Sequence, residues 1–195
     1  MTDLDAATTA RIFTDGLDLF DQVLQQVQPE QWDTPSPCAG WTVQDVLGHL
    51  GTSVELGAAF LSGARPNPPE ADRPADLVQG DPVAWYRTRA EDARRALAGA
   101  DLEQVVDTPM GPRRVVDRLA FPALDLYVHA WDLGAPLGID VAVPQDVIDL
   151  GHASIDPFPV EMVRGEGGAF GPEVPAPEGA TPTEAFIAWT GRTPR

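Results

Sequence analysis

The residues of this sequence best suited to chemistry lie in one apolar stretch, FPALDLYVHAWDLGAPLG, at residues 121–138. Asp125 and His129 are four residues apart, so on an α-helix a carboxylate oxygen and an imidazole nitrogen converge on one point. Asp132 follows one turn later, near the same face. Ionisable groups among apolar neighbours need a partner, because an unpaired carboxylate in a low-dielectric interior is costly. Pairing, protonation and metal coordination are three ways to meet that need.

A third ligand would distinguish a metal site from an ordinary core histidine, since a lone buried histidine is more often hydrogen-bonded than metal-bound. His49 is the candidate, because it lies beside the apolar stripe of a second predicted helix. Ligands from facing helices are how metal sites are built in helical bundles. Together His49, Asp125 and His129 would supply two nitrogen donors and one oxygen donor. Such a set leaves a coordination position open, which is typical of a catalytic metal site.

The segments that must position these residues are predicted to be helices, and the fold class is all-α. Apolar residues recur at three- and four-residue intervals over residues 3–27, and Pro29 ends the pattern. The second helix begins after the cap Thr42, with Asp45 as the acid of a capping box. Further helices are predicted at residues 81–97, 114–134 and 144–155.

One domain is predicted for the 195 residues, with a helical core at residues 3–155 and a loop-rich tail at 156–195 packed on it. The tail is rich in Gly and Pro and lacks periodicity up to its capping box, Thr181 with Glu184, which leads into a last turn or two. The high content of Pro, Gly and Asp in residues 62–81 predicts a long surface connection. Pro122 is expected to kink the fourth helix.

The composition argues against several classes of partner. A net charge of −17 disfavours nucleic acid and anionic membranes, since both are bound through clusters of positive charge. No apolar run reaches transmembrane length, and the N-terminus lacks the features of a signal peptide. The single cysteine, Cys38, agrees with a reducing compartment. A cytoplasmic protein is therefore expected.

Other polar residues have structural explanations. Cys38 precedes the second helix, where the helix dipole can activate a thiol, but a buried structural thiol is favoured because no His or second Cys is adjacent in sequence. Four arginines of the third helix are interpreted as a salt-bridged outer face, with contact to an anionic ligand as the minor alternative: Arg87, Arg89, Arg94 and Arg95. The sequence has no GxSxG elbow, phosphate-binding loop, HExxH or CxxC pair.

Two segments carry a resemblance to a known family: WDTPSPCAGWTVQDVLGHL at residues 32–50 and DLYVHAWDLGAPLG at residues 125–138. They resemble the DinB/YfiT-like superfamily, in the branch near the N-terminal domain of mycothiol-dependent maleylpyruvate isomerase. The segment FGPEVPAPEGATPTEAFIAWTGRTP, at residues 170–194, is similar to the ending of a related group of small actinobacterial metal-binding proteins. Together these segments extend over most of the chain, from residue 32 to residue 194.

The resemblance implies a four-helix bundle with one long crossover, often a homodimer. It also implies a divalent metal, zinc first and nickel as the alternative, at positions that match His49, Asp125 and His129. The acid is Asp here, a shorter ligand than Glu. Asp132 is interpreted as a residue beside the ligands or at the helix end rather than as a ligand.

The resemblance further implies chemistry with low-molecular-weight thiols such as mycothiol, whose metal-bound sulfur loses its proton readily and attacks an electrophile. Trp41, Trp131 and Cys38 are the candidate pocket residues. The resulting hypothesis is a metal-dependent thiol S-transferase acting on a small electrophile. A metal-dependent hydrolase and a non-catalytic metal- or small-molecule-binding protein are the alternatives. Maleylpyruvate isomerisation itself is not expected, because the isomerase's extra C-terminal domain is not recognised in the sequence.

Overall fold

The backbone is mainly helical in the part of the chain that the computed structural model describes, residues 4–64, 69–108, 111–164 and 168–194. The α-helices in those ranges are α1 (Ala6–Leu24), α2 (Val43–Ser62), α3 (Pro82–Ala98), α4 (Val115–Gly134), α5 (Gln145–Ile155), α6 (Val160–Arg164) and α7 (Pro182–Trp189). A two-stranded antiparallel pair, β1 (Val105–Val106) with β2 (Arg113–Arg114), pairs Val105 with Arg114. The all-α prediction is confirmed.

Helix α1 shows how the apolar period becomes a buried face. Its fully buried side chains include Ile12, Phe13, Leu17, Phe20 and Leu24, which recur at helical spacing. The helix begins after Asp5, whose carboxylate accepts a hydrogen bond from the backbone N–H of Thr8. It is shorter than the predicted range 3–27, and residue 3 lies outside the described residues.

Helix α2 begins at the predicted capping box. The Thr42 side chain accepts from the Asp45 backbone N–H, and the Asp45 carboxylate accepts from the Thr42 backbone N–H at 2.9 Å. The helix ends at Gly63, whose positive φ of 70° gives the left-handed cap that glycine favours. The predicted start of the second helix is therefore confirmed.

The first four helices form the bundle that was predicted. Helix α4 packs along both α1 and α2, and α3 contacts both of these from the other side, while α5 packs on α4. Apolar side chains from all four helices meet in one core. Because α2 and α4 are direct neighbours, side chains on their facing surfaces can converge.

The long connection between α2 and α3 lies close against α2. Its described part contains a 3-10 turn at Pro74–Leu77 that packs on this helix. A Cβ added to Gly48 would lie 1.9 Å from the Pro74 carbonyl oxygen, so glycine is required at this crossing. The predicted surface connection thus contains a short ordered turn that anchors it beside His49.

Helix α4 is almost wholly buried, as the sequence predicts for a helix in a bundle core. Pro122 lies inside it, and the helix continues through that position to Gly134. The kink expected at Pro122 stays a prediction. None of the described helices is both long enough and apolar enough to span a membrane.

The C-terminal tail differs in part from its prediction. Helix α6 lies within the segment expected to be irregular, because Pro159 starts a helical turn in which Val163 is buried. Helix α7 begins at the predicted capping box of Thr181 and Glu184. Phe186 and Ile187 are buried and belong to the hydrophobic core, while the division into a core at 3–155 and a tail at 156–195 stays a prediction.

Candidate functional site

Helices α2 and α4 bring three candidate ligands together. His49 projects from α2, and Asp125 and His129 lie one turn apart on α4. The Asp125 carboxylate lies between the two imidazoles: Oδ2 is 3.5 Å from His49 Nε2, and Oδ1 is 3.2 Å from His129 Nε2. The two imidazole rings meet edge to face with centroids 4.7 Å apart. One ligand atom from each residue lies within 4.8 Å of the other two.

Burial differs across this cluster. The side chains of Asp125 and His129 are 7% and 6% exposed, whereas that of His49 is 38% exposed. The cluster therefore lies at the edge of the core, with solvent access on the His49 side. A cation or small molecule can approach from that side.

The charges of Asp125 and His129 are coupled. Burial by itself would raise the pKa of Asp125, but the adjacent His129 and His49 outweigh it and hold that pKa well below its usual range. Burial would likewise lower the pKa of His129, but Asp125 and Asp132 outweigh it and raise that pKa well above its usual range. Both shifts favour the charged forms, an imidazolium at His129 beside a carboxylate at Asp125.

A second cluster adjoins the other ring nitrogen of His129. His129 Nδ1 lies 2.8 Å from Asp132 Oδ2, a close ionic contact without the geometry of a hydrogen bond. The Cys38 thiol donates to the same oxygen at 3.2 Å. Arg192 donates from Nε to Asp132 Oδ1 at 3.0 Å and from Nη2 to Oδ2 at 2.8 Å. Burial opposes ionisation of Asp132, but His129 and Arg192 outweigh it and lower its pKa to about 2.

Donor chemistry distinguishes the two clusters as metal sites. Cys38, His129 and Asp132 are also close enough to share a metal ion, but Arg192 already pairs with the Asp132 carboxylate. A divalent ion there would be placed against a guanidinium, which disfavours binding. At His49, Asp125 and His129 the partners of the carboxylate are imidazoles, which become nitrogen donors when they lose a proton. The residues of this first cluster therefore fit a divalent metal.

The three candidate pocket residues have different surroundings. Trp41 lies beside both histidines, with ring centroids 5.0 Å from His49 and 6.4 Å from His129. Cys38 is half-buried and contacts Asp132, which gives its thiol a polar environment rather than the purely structural one favoured from sequence. Trp131 belongs to the hydrophobic core, and its position two residues after His129 is about 200° around the helix. A pocket role for Trp131 stays a prediction.

Arg192 is the functional candidate that sequence reasoning did not single out. It lies 60 residues from Asp132, just beyond the end of α7, so no spacing rule connects the two. The one available signal was its place in the quoted segment at residues 170–194.

A separate groove of about 890 Å³ lies between α2, α3 and the connection that joins them. Besides Glu70, three carboxylates line it, and these three have structural partners: Glu55 pairs with Arg89 at 2.8 Å, and Asp76 and Asp81 accept backbone hydrogen bonds at helix starts. The three candidate ligands do not line it. This groove is therefore distinct from the cluster of His49, Asp125 and His129.

Comparison with known proteins agrees with this architecture. Residues 13–134 match the family described as "Mycothiol maleylpyruvate isomerase N-terminal domain". An uncharacterized protein of Mycobacterium tuberculosis, found in strain H37Rv and in strain CDC 1551 / Oshkosh, is 29% identical over 186 residues, which cover 91% of this chain and 94% of the relative.

Two solved structures share the fold. One is the crystal structure of the mycothiol-dependent maleylpyruvate isomerase, with a TM-score of 0.61, and the other is a point mutant of that enzyme, with a TM-score of 0.58. Each is 14% identical in sequence, and each match covers 86% of this chain and 75% of the solved one. At this identity the likeness concerns the fold.

Proposed function

This chain belongs to the family of the mycothiol maleylpyruvate isomerase N-terminal domain, and from that membership we propose that it binds a divalent metal and transfers a thiol of the mycothiol type to a small electrophile. The observation that carries the proposal is the convergence of His49, Asp125 and His129 at the edge of the bundle core. A solved structure of similar fold is described as mycothiol-dependent, which supports a thiol as co-substrate.

His49, Asp125 and His129 would hold the metal. Two imidazole nitrogens and one carboxylate oxygen suit zinc, with nickel as the alternative, and three protein ligands leave room for a thiol or water. When bound, the metal acts as a Lewis acid that lowers the pKa of a coordinated thiol. The choice between zinc and nickel is a matter for direct measurement.

The protein's own residues prepare the site for such a thiol. Asp132 contacts Nδ1 of His129, so that Nε2 of the same ring faces Asp125 and the metal position. Trp41 forms an apolar wall beside both histidines. The half-exposed His49 marks the side from which substrates enter.

Metal content tests the first part of the proposal. Untagged wild-type protein and the variants His49→Ala, His129→Ala and His152→Ala would be analysed by plasma mass spectrometry. We expect close to one metal ion per chain in the wild type and a large loss in His49→Ala and His129→Ala. His152, the third histidine of the chain, lies on α5 and contacts Asp156, so its variant is the matched control and should keep the metal.

A wild-type protein that carries no metal, even after incubation with zinc and with nickel, would contradict the proposal. Equal loss of metal in His152→Ala would show that the assay reports something other than this site.

Consumption of monochlorobimane tests the second part. Metal-loaded protein should consume this electrophile in a thiol-dependent manner, and His129→Ala should not. Turnover of ester or amide substrates without any thiol would instead identify a metal-dependent hydrolase. Metal binding with neither activity would identify a non-catalytic binding protein and contradict thiol transfer.

A further inference from the structure

We propose that Arg192, in the C-terminal tail, is a positioning residue for the metal ligand His129 and acts through Asp132. The inference rests on the proposed function, since it concerns a ligand of the proposed metal. In this proposal the tail contributes the Arg192 side chain to the metal site, in addition to packing on the bundle.

The first step is the ion pair between Arg192 and Asp132. The guanidinium contacts both carboxylate oxygens, through Nε and Nη2, and this two-point contact fixes the plane of the carboxylate. The Asp132 side chain is 0% exposed and that of Arg192 is 10% exposed, so water contributes little to either partner. Without Arg192 the carboxylate would be buried with less compensation for its charge, and its plane would be free to turn.

The second step is the ionic contact between Asp132 and His129. Its Oδ2 lies 2.8 Å from Nδ1, so the imidazole is oriented with Nε2 toward Asp125 and His49. A carboxylate on the far nitrogen of a metal-binding histidine sets the ring orientation and makes it a better ligand. The Cys38 thiol donates to the same Oδ2 and helps to hold that oxygen in place.

The third step is the anchoring of Arg192 by the tail. Its backbone N–H donates to the Ile187 carbonyl at 3.2 Å, and its Nη1 donates to the Thr190 carbonyl at 3.2 Å. Gly191, with a φ of 88°, lies so close to the Gly171 backbone that an added Cβ would come within 2.9 Å of it. Two parts of the tail therefore lock together beside Arg192 and hold its guanidinium in place at Asp132.

Zinc affinity tests the proposal. Dissociation constants would be measured by competition with a chromogenic chelator for the wild type, Arg192→Gln, Arg192→Lys and Arg164→Gln. Arg192→Gln should bind zinc about tenfold or more weakly, as is usual when the partner of a metal-bound histidine is disturbed. Arg192→Lys keeps the charge but not the two-point contact, so an intermediate affinity is expected.

Arg164→Gln is the matched control for docking of the tail. Arg164 donates to the Gly171 carbonyl at 2.8 Å and lies over Trp189, and it is not among the contacts of Asp132. Its variant should bind zinc as the wild type does. Far-UV circular dichroism and thermal unfolding of the metal-free proteins would verify that each variant is folded.

Zinc uptake by the wild type with unchanged affinity in Arg192→Gln would overturn the positioning role and leave the proposed function intact. Equal weakening in Arg164→Gln would also overturn it, because the effect would then come from tail docking in general. A wild type that binds neither zinc nor nickel would overturn the proposed function itself. If Arg192→Gln does not fold, an affinity of Arg192→Lys equal to that of the wild type would still contradict the proposal.

Discussion

His129 has a different carboxylate beside each of its ring nitrogens. Nε2 lies 3.2 Å from Asp125 and Nδ1 lies 2.8 Å from Asp132. The spacings of four and three residues place both acids on the helix face of the histidine, one turn before it and one turn after it. One imidazole can therefore be a metal ligand on one side and be oriented from the other.

At the scale of single residues, a first prediction concerns Trp41. Replacing it with Ala should lower thiol-dependent consumption of monochlorobimane at subsaturating concentration by about two- to tenfold, because an aromatic contact to the substrates is lost. Metal content should not change, since Trp41 supplies no ligand atom. Steady-state kinetics and plasma mass spectrometry would be run on the same samples.

Trp41→Phe is the matched control and should keep most of the activity, because it preserves an aromatic wall. Loss of metal in Trp41→Ala would contradict the prediction and show that the indole is needed to support the ligands.

At the scale of secondary-structure elements, Asp45 joins the start of α2 to the connection that follows it. Its buried carboxylate accepts hydrogen bonds from the Thr42 and Ala75 backbone N–H groups at 2.9 Å and 3.1 Å, and it also contacts Arg73. His49 lies one turn further along the same helix. The cap therefore positions both the 3-10 turn at Pro74–Leu77 and the helix that carries His49.

Asp45 gives a prediction of pH-dependent stability. Burial alone would raise its pKa, but the hydrogen bonds from Thr42 and Ala75 and the contact with Arg73 outweigh it and lower the pKa below the usual value. A carboxyl whose pKa is lower in the folded state stabilises above its unfolded pKa, and this contribution is lost as the pH falls through the folded pKa. The wild type should therefore lose stability in acid in a way that Asp45→Asn does not.

Urea unfolding of the wild type and Asp45→Asn across a pH series would measure this difference. At pH 7 the free energy of unfolding of the variant should be lower by about 1–2 kcal/mol, because hydrogen bonds to a buried charged group are weakened. The gap should narrow below about pH 4, where carboxyl groups become protonated. A difference in the free energy of unfolding that does not change with pH would contradict the prediction that the Asp45 carboxylate stabilises the fold through its charge.

At the scale of the whole molecule, arginine side chains join the helices of an acidic protein. The whole chain has a net charge of −17. Helix α3 supplies arginines that pair with carboxylates of α1: Arg87 with Asp21 at 2.7 Å and Arg94 with Asp18 at 2.5 Å. This agrees with the salt-bridged outer face predicted from sequence. The expectation from this acidity that nucleic acid is not a partner, and the homodimer implied by the resemblance, both stay predictions.

Metal binding should stabilise the whole bundle, because the ligands come from two helices that separate on unfolding. Zinc at about 100 times its dissociation constant should add about 2.7 kcal/mol, and for a chain of this size the midpoint of thermal unfolding should rise by about 5–10 °C. Differential scanning calorimetry with zinc and with excess chelator would measure the shift. His129→Ala should show no shift and His152→Ala should show the full one, whereas equal shifts in all three proteins would indicate zinc bound elsewhere.

The amino-acid sequence by itself determined helices α1 to α5 and α7, the capping boxes at Thr42 and Thr181, and the pairing of Asp125 with His129 on one helix face. These features depend on residues a few positions apart, so periodicity and cap chemistry are sufficient to predict them. It also supplied His49 as a third candidate, but only packing of α2 on α4 brought that side chain to the other two.

The tertiary structure alone decided the surroundings of Asp132. Its partners Cys38 and Arg192 are 94 and 60 residues away, and Arg192 arrives on a tail whose course is irregular apart from two short helices. No periodic pattern encodes such a contact, because it depends on where the docked tail places one side chain against the buried end of another helix.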